Sequence, residues 1–321
     1  MKKFFVVLLA FTLTVTSLVG CGVNRDNLYD PANNEIALAD LFFQEESEYS
    51  DGDFIVEEEG KAYVDAICDA AEEVGPLENE YIRELKDDMI AFFDYEFGID
   101  VSEKINKVET KLIDVEDSNV WGYHIPETNV VCVNQDLYLM REYFPFTWCH
   151  EVIHYLGISK DSNEYWPLYE TLTEAVNIQL MWWLEAPYTL SAYYDASAIG
   201  NQMIIANPEI VTKLITDEEF ALEDHINEVL KDAVYTVAKL PENTTIAYQL
   251  DSYLMCMIEM NQLYCENPLI MNFMLQEITT AYCRKFNLSE VQIETSKQLW
   301  LLQDFDTVTI KGRGDYYVLK G

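Results

Sequence analysis

The sequence predicts an α+β protein in which helices predominate, with a small antiparallel sheet ahead of a histidine-bearing helix and a helical C-terminal part. Apolar residues recur at helical spacing over most of the chain, whereas the region 111–134 has short apolar runs typical of strands. Hydrophobic residues make up 50% of the 321 residues and charged residues 24%, which is typical of a folded globular protein.

The region before residue 135 is predicted to contain two helices and then three strands. Apolar residues at helical spacing indicate helices over 59–74 and 77–97, and Gly98 is suited to ending the second one. Short runs rich in β-branched and aromatic residues indicate strands at 111–115, 120–125 and 129–134. The short Pro-Glu-Thr segment between the last two strands predicts a tight connection.

Two further helices are predicted around the rarest residues of the chain. Helical periodicity runs over 143–156, and Gly157 is a plausible C-terminal cap. The next helix is predicted from Pro167 to residue 184, because proline is favoured at the first helical position.

The remainder of the chain is predicted to be helical up to a terminal hairpin. Helices are predicted at about 190–205, 208–215, 224–238, 246–265, 268–285 and 289–302. Two short strands at 308–311 and 316–319 flank a Gly-Arg-Gly turn, which predicts the hairpin.

The N-terminus has the features of an export signal. Lys2 and Lys3 precede an uncharged apolar stretch over 4–18, which is too short and wrongly flanked for a permanent membrane span. The stretch closes with Leu-Val-Gly-Cys at 18–21, which resembles the bacterial lipobox. This resemblance implies removal of residues 1–20, lipidation of Cys21 and anchoring to the outer face of the bacterial cytoplasmic membrane.

The charge of the chain excludes one large class of partner. Its 57 acidic residues outnumber 20 basic residues, which gives a formal net charge of −37. Such a surface repels phosphate backbones, so we expect no nucleic-acid partner.

Two of the four histidines, His150 and His154, flank Glu151 in the pattern HExxH. On a helix, positions i and i+4 lie one turn apart on the same face, so both imidazoles can reach one metal ion. Zinc lowers the pKa of a bound water towards about 7, and an adjacent carboxylate can then act as general base. The spacing therefore predicts His150 and His154 as ligands of one Zn²⁺ per chain and Glu151 as the catalytic base.

A catalytic zinc site needs a third protein ligand, and the following helix offers two candidates. Glu170 and Glu174 are again four residues apart and face the same way. From these spacings alone, either carboxylate is eligible as the third ligand.

The motif followed by a glutamate-bearing helix resembles the gluzincin metallopeptidases, over roughly 129–180. That resemblance implies a zincin-like fold, with the first acid of a Glu-x-x-x-Asp/Glu pattern on zinc and the second hydrogen-bonded to a ligand histidine. Glu170 is therefore favoured as ligand, with Glu174 in the supporting role. Glu174 stays open as the ligand, because its nineteen-residue separation from His154 matches thermolysin-like members.

The same resemblance implies two further components of a peptidase site. An edge strand near the metal would hold the substrate backbone, and 129–134 or 121–125 is the candidate. A donor for the developing oxyanion is also needed, with His225, Tyr193 and Tyr194 as candidates.

These expectations combine into one function and one rival. The chain is predicted to be an extracytoplasmic, lipid-anchored zinc metallopeptidase that acts on peptide or protein substrates. The alternative is a non-catalytic exported lipoprotein that binds a ligand or partner and has a structural or degenerate metal site. The corresponding regions are a signal peptide at 1–20, a tether at 21–53, a zincin-like catalytic part at 54–186 and a helical part at 187–321.

Overall fold

The computed structural model describes ten stretches of the chain. They are residues 35–36, 56–114, 121–141, 143–158, 165–186, 194–232, 245–258, 268–297, 305–310 and 314–319. The predicted signal peptide and Cys21 lie outside these residues, as does most of the predicted tether.

The first helices agree closely with the sequence prediction. The described helices here are α1 (Val56–Glu73), α2 (Glu80–Phe97) and the short α3 (Ser102–Lys107). Helix α2 begins later than predicted because the Asn79 side chain accepts a hydrogen bond from the backbone N–H of Ile82, which caps the helix. It ends at Gly98, whose φ of 67° is the left-handed conformation that favours glycine.

The predicted three-stranded sheet is present, but the prediction that it is antiparallel was wrong. Its strands are β2 (Glu109–Ile113), β3 (Gly122–His124) and β4 (Val130–Asn134). Their order is β2-β4-β3, with β4 parallel to β2 and antiparallel to β3.

The burial of β4 explains its central position. Val131 and Val133 are fully buried in the main core, and Cys132 is fully buried in a second cluster on the opposite face, with Ile67 of α1. A strand with apolar residues buried on both faces is stabilised by pairing on both edges, which leaves β3 at the edge of the sheet.

The two helices that carry the rare residues follow the sheet. After α4 (Gln135–Leu139) come α5 (Phe144–Ile153) and a wide helical turn over His154–Ile158 that contains Gly157 at φ 118°. Helix α6 (Trp166–Trp183) has Pro167 in its first turn, as predicted. Helix α6 is buried on nearly all sides and contacts α5, α7 and α10, so it is the central helix of the core.

The described C-terminal elements are helical with a final hairpin, which confirms the prediction for this part. They are α7 (Tyr194–Ala206), α8 (Glu209–Thr216), α9 (Leu222–Leu230), α10 (Ile246–Ile258), α11 (Pro268–Lys285), α12 (Glu290–Lys297), β5 (Phe305–Ile310) and β6 (Gly314–Leu319). Strands β5 and β6 pair antiparallel.

One short segment departs from the predicted organisation. Residues Glu35–Ile36, which fall within the predicted tether, form the two-residue strand β1 and pair parallel with Thr309 and Ile310 of β5. In the part of the chain that the structure describes, no helix is both long enough and apolar enough to cross a membrane.

The crossing of α6 and α7 allows a stability prediction at Gly200. A Cβ atom at this glycine would lie 2.4 Å from the backbone oxygen of Thr171 and 2.8 Å from Ala175 Cβ. We expect Gly200→Ala to lower the free energy of unfolding by about 1–3 kcal/mol, because the helices must separate to admit the methyl group.

Urea denaturation of the purified variant would measure this change. Gly75→Ala is a matched control, because a Cβ there meets no atom within 4 Å. That control should be neutral or stabilising by about 0.4–1 kcal/mol. Equal stability of Gly200→Ala and the wild type would show that the helices do not cross this closely.

Candidate metal centre

The two histidines of the HExxH motif project from consecutive turns and face each other. His150 lies in the last turn of α5 and His154 begins the wide turn that follows. Their Nε2 atoms are 3.0 Å apart, and both side chains belong to residues that are only 8% exposed. The i, i+4 spacing therefore directs both rings to one point in the buried interior.

Helix α6 adds a carboxylate to this pair. Glu170 Oε2 lies 3.2 Å from His150 Nε2, and Glu170 Oε1 lies 3.2 Å from His154 Nε2. In the described part of the chain, His150, His154 and Glu170 are the residues whose donor atoms come close enough together to hold a metal ion. Of the two glutamates that the spacing left open, Glu170 is the one beside both Nε2 atoms.

One atom of this group favours a cation between the three side chains. Glu170 Oε2 is buried and lies 3.2 Å from His150 Nε2, but no hydrogen bond with acceptable angles reaches it from the described residues. Leaving a carboxylate oxygen buried without a partner is costly, and a bound cation would remove that cost. The donor set of two imidazoles and one carboxylate therefore fits a metal ion.

The far side of each ring has its own partner. His150 Nδ1 lies 2.9 Å from Glu174 Oε2, and the Glu174 side chain is fully buried. His154 Nδ1 lies 3.4 Å from Thr173 Oγ1. Partners at Nδ1 fix the ring orientation and leave Nε2 for a metal, so Glu174 has the position that the resemblance implies. The contact of Thr173 with His154 was not predicted from the sequence. Its spacing of three residues from Glu170, which puts both on one helix face, was the available signal.

The charges around His150 favour positive charge at the centre. Burial lowers the pKa of His150, but the close contacts with Glu170 and Glu174 and the negative charges of these carboxylates raise it well above its ordinary value. Burial also acts to raise the pKa of Glu170, whereas the two imidazoles hold it well below its usual range. The same carboxylates that stabilise a protonated imidazole would stabilise a divalent cation.

Glu151 is adjacent to His150 in the sequence and interacts electrostatically with His150, His154 and Glu170, but it does not belong to the group of donor atoms. Its Oε2 accepts a hydrogen bond of 2.9 Å from the backbone N–H of His124 in β3, and the residue is 8% exposed. Burial raises the pKa of Glu151, and the neighbouring histidines partly offset that rise. The hydrogen bond from His124 to Glu151 is donated by the backbone N–H, so the pattern of side chains in the sequence does not predict it. The His124 ring itself lies against Tyr155 and near the Thr128 oxygen.

The C-terminal helices hold the first turn of α6, immediately before Glu170. Asp251 of α10 accepts a hydrogen bond of 3.0 Å from the backbone N–H of Leu168. The Tyr169 hydroxyl donates to Glu223 of α9 at 2.9 Å. These contacts span more than fifty residues of sequence, and they make the position of Glu170 depend on the C-terminal part.

Of the three candidate oxyanion donors, His225 is the one whose side chain lies in the described part of the structure. His225 lies in a separate cluster, where its Nε2 is 3.0 Å from the Tyr282 hydroxyl and its ring packs near Phe220. An oxyanion donor has to face the metal-binding residues, whereas the ring of His225 contacts Tyr282 and Phe220. Tyr193 and the side chain of Tyr194 lie outside the described part of the structure.

Comparison with known proteins provides no independent assignment. The chain matches no protein-family model, no curated protein and no solved structure at the significance required.

Proposed function

We propose that the chain is a zinc-dependent peptidase that hydrolyses peptide bonds in peptide or protein substrates. One observation carries this proposal. His150, His154 and Glu170 converge on one point, while the Glu151 carboxylate lies next to them, held by a backbone N–H rather than by the donor group. Hydrolysis by a metal-bound water needs both metal ligands and a separate general base, and these residues could fill the two roles.

The donor set supports zinc as the metal. The Nε2 atoms of His150 and His154 are 3.0 Å apart, and each lies 3.2 Å from a different oxygen of Glu170, so the three side chains are close enough together to act as ligands of one ion. Two nitrogen donors and one oxygen donor also form a ligand set common in catalytic zinc sites, and they leave a fourth position for water or substrate.

The chain's own residues then have distinct tasks. A zinc ion at this centre would acidify a water molecule and polarise the peptide carbonyl. Glu151 would accept the proton of the attacking water at a carboxylate oxygen and pass it to the leaving amine. Glu174 and Thr173 would keep the imidazole rings oriented throughout.

One of the two candidate strands lies at an edge of the sheet, where an extended substrate could pair with it. The sequence left 129–134 and 121–125 as candidates, and β4 occupies the middle of the sheet between β2 and β3. Strand β3 is at the edge and contacts Glu151 through His124. A peptide aligned along β3 would therefore pass close to the base, which supports 121–125 as the substrate-binding strand.

The position of Glu174 disfavours the non-catalytic alternative. A closed structural site would be favoured if both Glu170 and Glu174 bound the metal and filled its fourth position. Glu174 Oε2 instead lies against His150 Nδ1, the nitrogen that faces away from the donor group. We further propose, from the lipobox-like sequence alone, that the protein is exported and anchored through Cys21.

Metal content and peptide hydrolysis of the purified chain test this proposal together. We expect about one zinc per chain by mass spectrometry. Cleavage of a quenched-fluorescent peptide library should stop on treatment with 1,10-phenanthroline and return on addition of Zn²⁺. If no stoichiometric metal is bound, or if the chelator leaves hydrolysis unchanged, the proposal is wrong. Tightly bound zinc without hydrolysis of any library member would favour the binding protein instead.

A further inference from the structure

Gly122 occupies a position in β3 where a side chain has no room. A Cβ atom there would lie 2.7 Å from Thr147 Cγ2, 2.9 Å from Glu151 Cγ and 3.2 Å from the backbone oxygen of Cys132. Real Cβ atoms essentially never make contacts below 3.0 Å, so either the strand or the two side chains would have to move. The missing side chain thus lets β3 lie directly against α5 at Glu151.

This close approach has a second consequence two residues further along the strand. His124 lies two residues after Gly122 in the same strand. Its backbone N–H reaches Glu151 Oε2 at 2.9 Å. The strand therefore contacts Glu151 at two points, against the methylene carbon through Gly122 and at the carboxylate through His124.

We propose that Gly122 is a positioning residue, whose missing side chain lets β3 hold the Glu151 carboxylate in the orientation needed for proton transfer. This inference rests on the proposed function, since it concerns the base of that reaction. Among the described glycines that a Cβ atom would crowd, Gly122 is the one in contact with Glu151.

The physical reason is the sensitivity of proton transfer to geometry. A general base must come within hydrogen-bond reach of the proton that it removes. An alanine at Gly122 would push Glu151 Cγ aside or lift β3, and either movement breaks the contact from His124. A misplacement of about 1 Å can reduce a catalytic rate by roughly 10²-fold. The metal ligands His150, His154 and Glu170 are other side chains, so zinc binding should be unaffected.

The test is Gly122→Ala in the full zinc-loaded protein, assayed with a peptide that the wild type cleaves. We expect kcat at saturating peptide to fall by roughly 10–100-fold with zinc content unchanged. Because β3 is also the proposed substrate-binding strand, KM should rise as well, so kcat is the readout that reports on the base. Gly75→Ala is the matched control, since a Cβ there meets no atom within 4 Å, and its kcat should equal that of the wild type. A kcat for Gly122→Ala within about twofold of the wild type overturns the inference.

Two double variants separate positioning from general strain. Thr147→Ser removes the methyl group at 2.7 Å, so adding it to Gly122→Ala should restore much of the thermal stability while kcat stays low. If kcat recovers together with stability, Gly122 has only a structural role.

In the Glu151→Gln background, Gly122→Ala should have little further effect on kcat, because it acts through that carboxylate. Additive losses in that pair would also overturn the inference.

Failure of the inference is distinguishable from failure of the proposed function. If the wild type binds zinc and cleaves peptides while Gly122→Ala does so equally well, only the role of Gly122 is wrong. If the wild type itself shows no zinc-dependent cleavage, the peptidase proposal fails first, and the role of Gly122 in it fails as well.

Discussion

Glu151→Gln should retain stoichiometric zinc and lose hydrolysis, with kcat reduced by roughly 10²–10⁴-fold. The glutamine has nearly the same shape as the glutamate, but its amide cannot accept the proton of the attacking water. Its oxygen can still accept the hydrogen bond from the His124 N–H, which Glu151 Oε2 accepts at 2.9 Å in the wild type. We therefore expect the change to be chemical rather than structural.

The metal should be unaffected because the ligands are other residues. In the described part of the chain, the metal-binding group comprises His150, His154 and Glu170, without Glu151. Folding stability should be no lower than in the wild type, because a buried neutral amide carries a smaller desolvation cost than a buried carboxylate. Thermal denaturation, zinc analysis and steady-state kinetics on one preparation would measure all three properties.

Glu84→Gln is a suitable control for Glu151→Gln, because Glu84 is exposed on α2 and takes no part in the centre. It should match the wild type in all three measurements. Activity of Glu151→Gln within about tenfold of the wild type would mean that another group removes the proton. Loss of zinc from Glu151→Gln would instead show that Glu151 is one of the metal ligands.

The parts of the centre that the sequence predicted are those set by local helical geometry. His150 and His154 are one turn apart on a helix, and Glu170 and Glu174 are one turn apart on the next, so their relative directions follow from spacing. The assignment of Glu170 and Glu174 to different roles relied on a resemblance, and their contacts with His150 are consistent with it.

The parts that the sequence did not reveal depend on long-range pairing and backbone contacts. The central position of β4 depends on how strands separated in sequence pair, although its uninterrupted Val-Val-Cys-Val run was a signal for burial on both faces. The contact from His124 to Glu151 uses an N–H that every residue except proline has. The cap that Asp251 places on the Leu168 N–H joins residues 83 apart, and no local pattern encodes it.

Glu170→Gln and Glu174→Gln should weaken zinc binding to very different degrees. Both changes remove one negative charge and keep the side-chain shape. Glu170 lies 3.2 Å from the Nε2 atoms of both histidines, so its replacement removes a ligand. Glu174 Oε2 lies 2.9 Å from the outer nitrogen of His150, and a glutamine there can still accept a hydrogen bond from that nitrogen.

We expect Glu170→Gln to lose stoichiometric zinc during gel filtration. Glu174→Gln should keep the zinc with an affinity reduced roughly 10–100-fold, which is typical for a residue that orients a ligand. Titration against a chromogenic chelator would measure both affinities. Zinc-dependent thermal stabilisation gives an independent readout, because each tenfold loss of affinity removes about 1.4 kcal/mol of it when zinc is in excess.

The order of the two effects decides which glutamate completes the site. If Glu174→Gln loses the metal and Glu170→Gln retains it, Glu174 is the third ligand and the nineteen-residue spacing is the relevant one. If both variants lose zinc equally, both carboxylates bind the metal, and the fourth position that hydrolysis needs is filled. A large loss of zinc affinity in Glu170→Gln together with a moderate loss in Glu174→Gln is the result expected of a centre that binds zinc through three side chains. Such a centre leaves the fourth coordination position open for water or substrate.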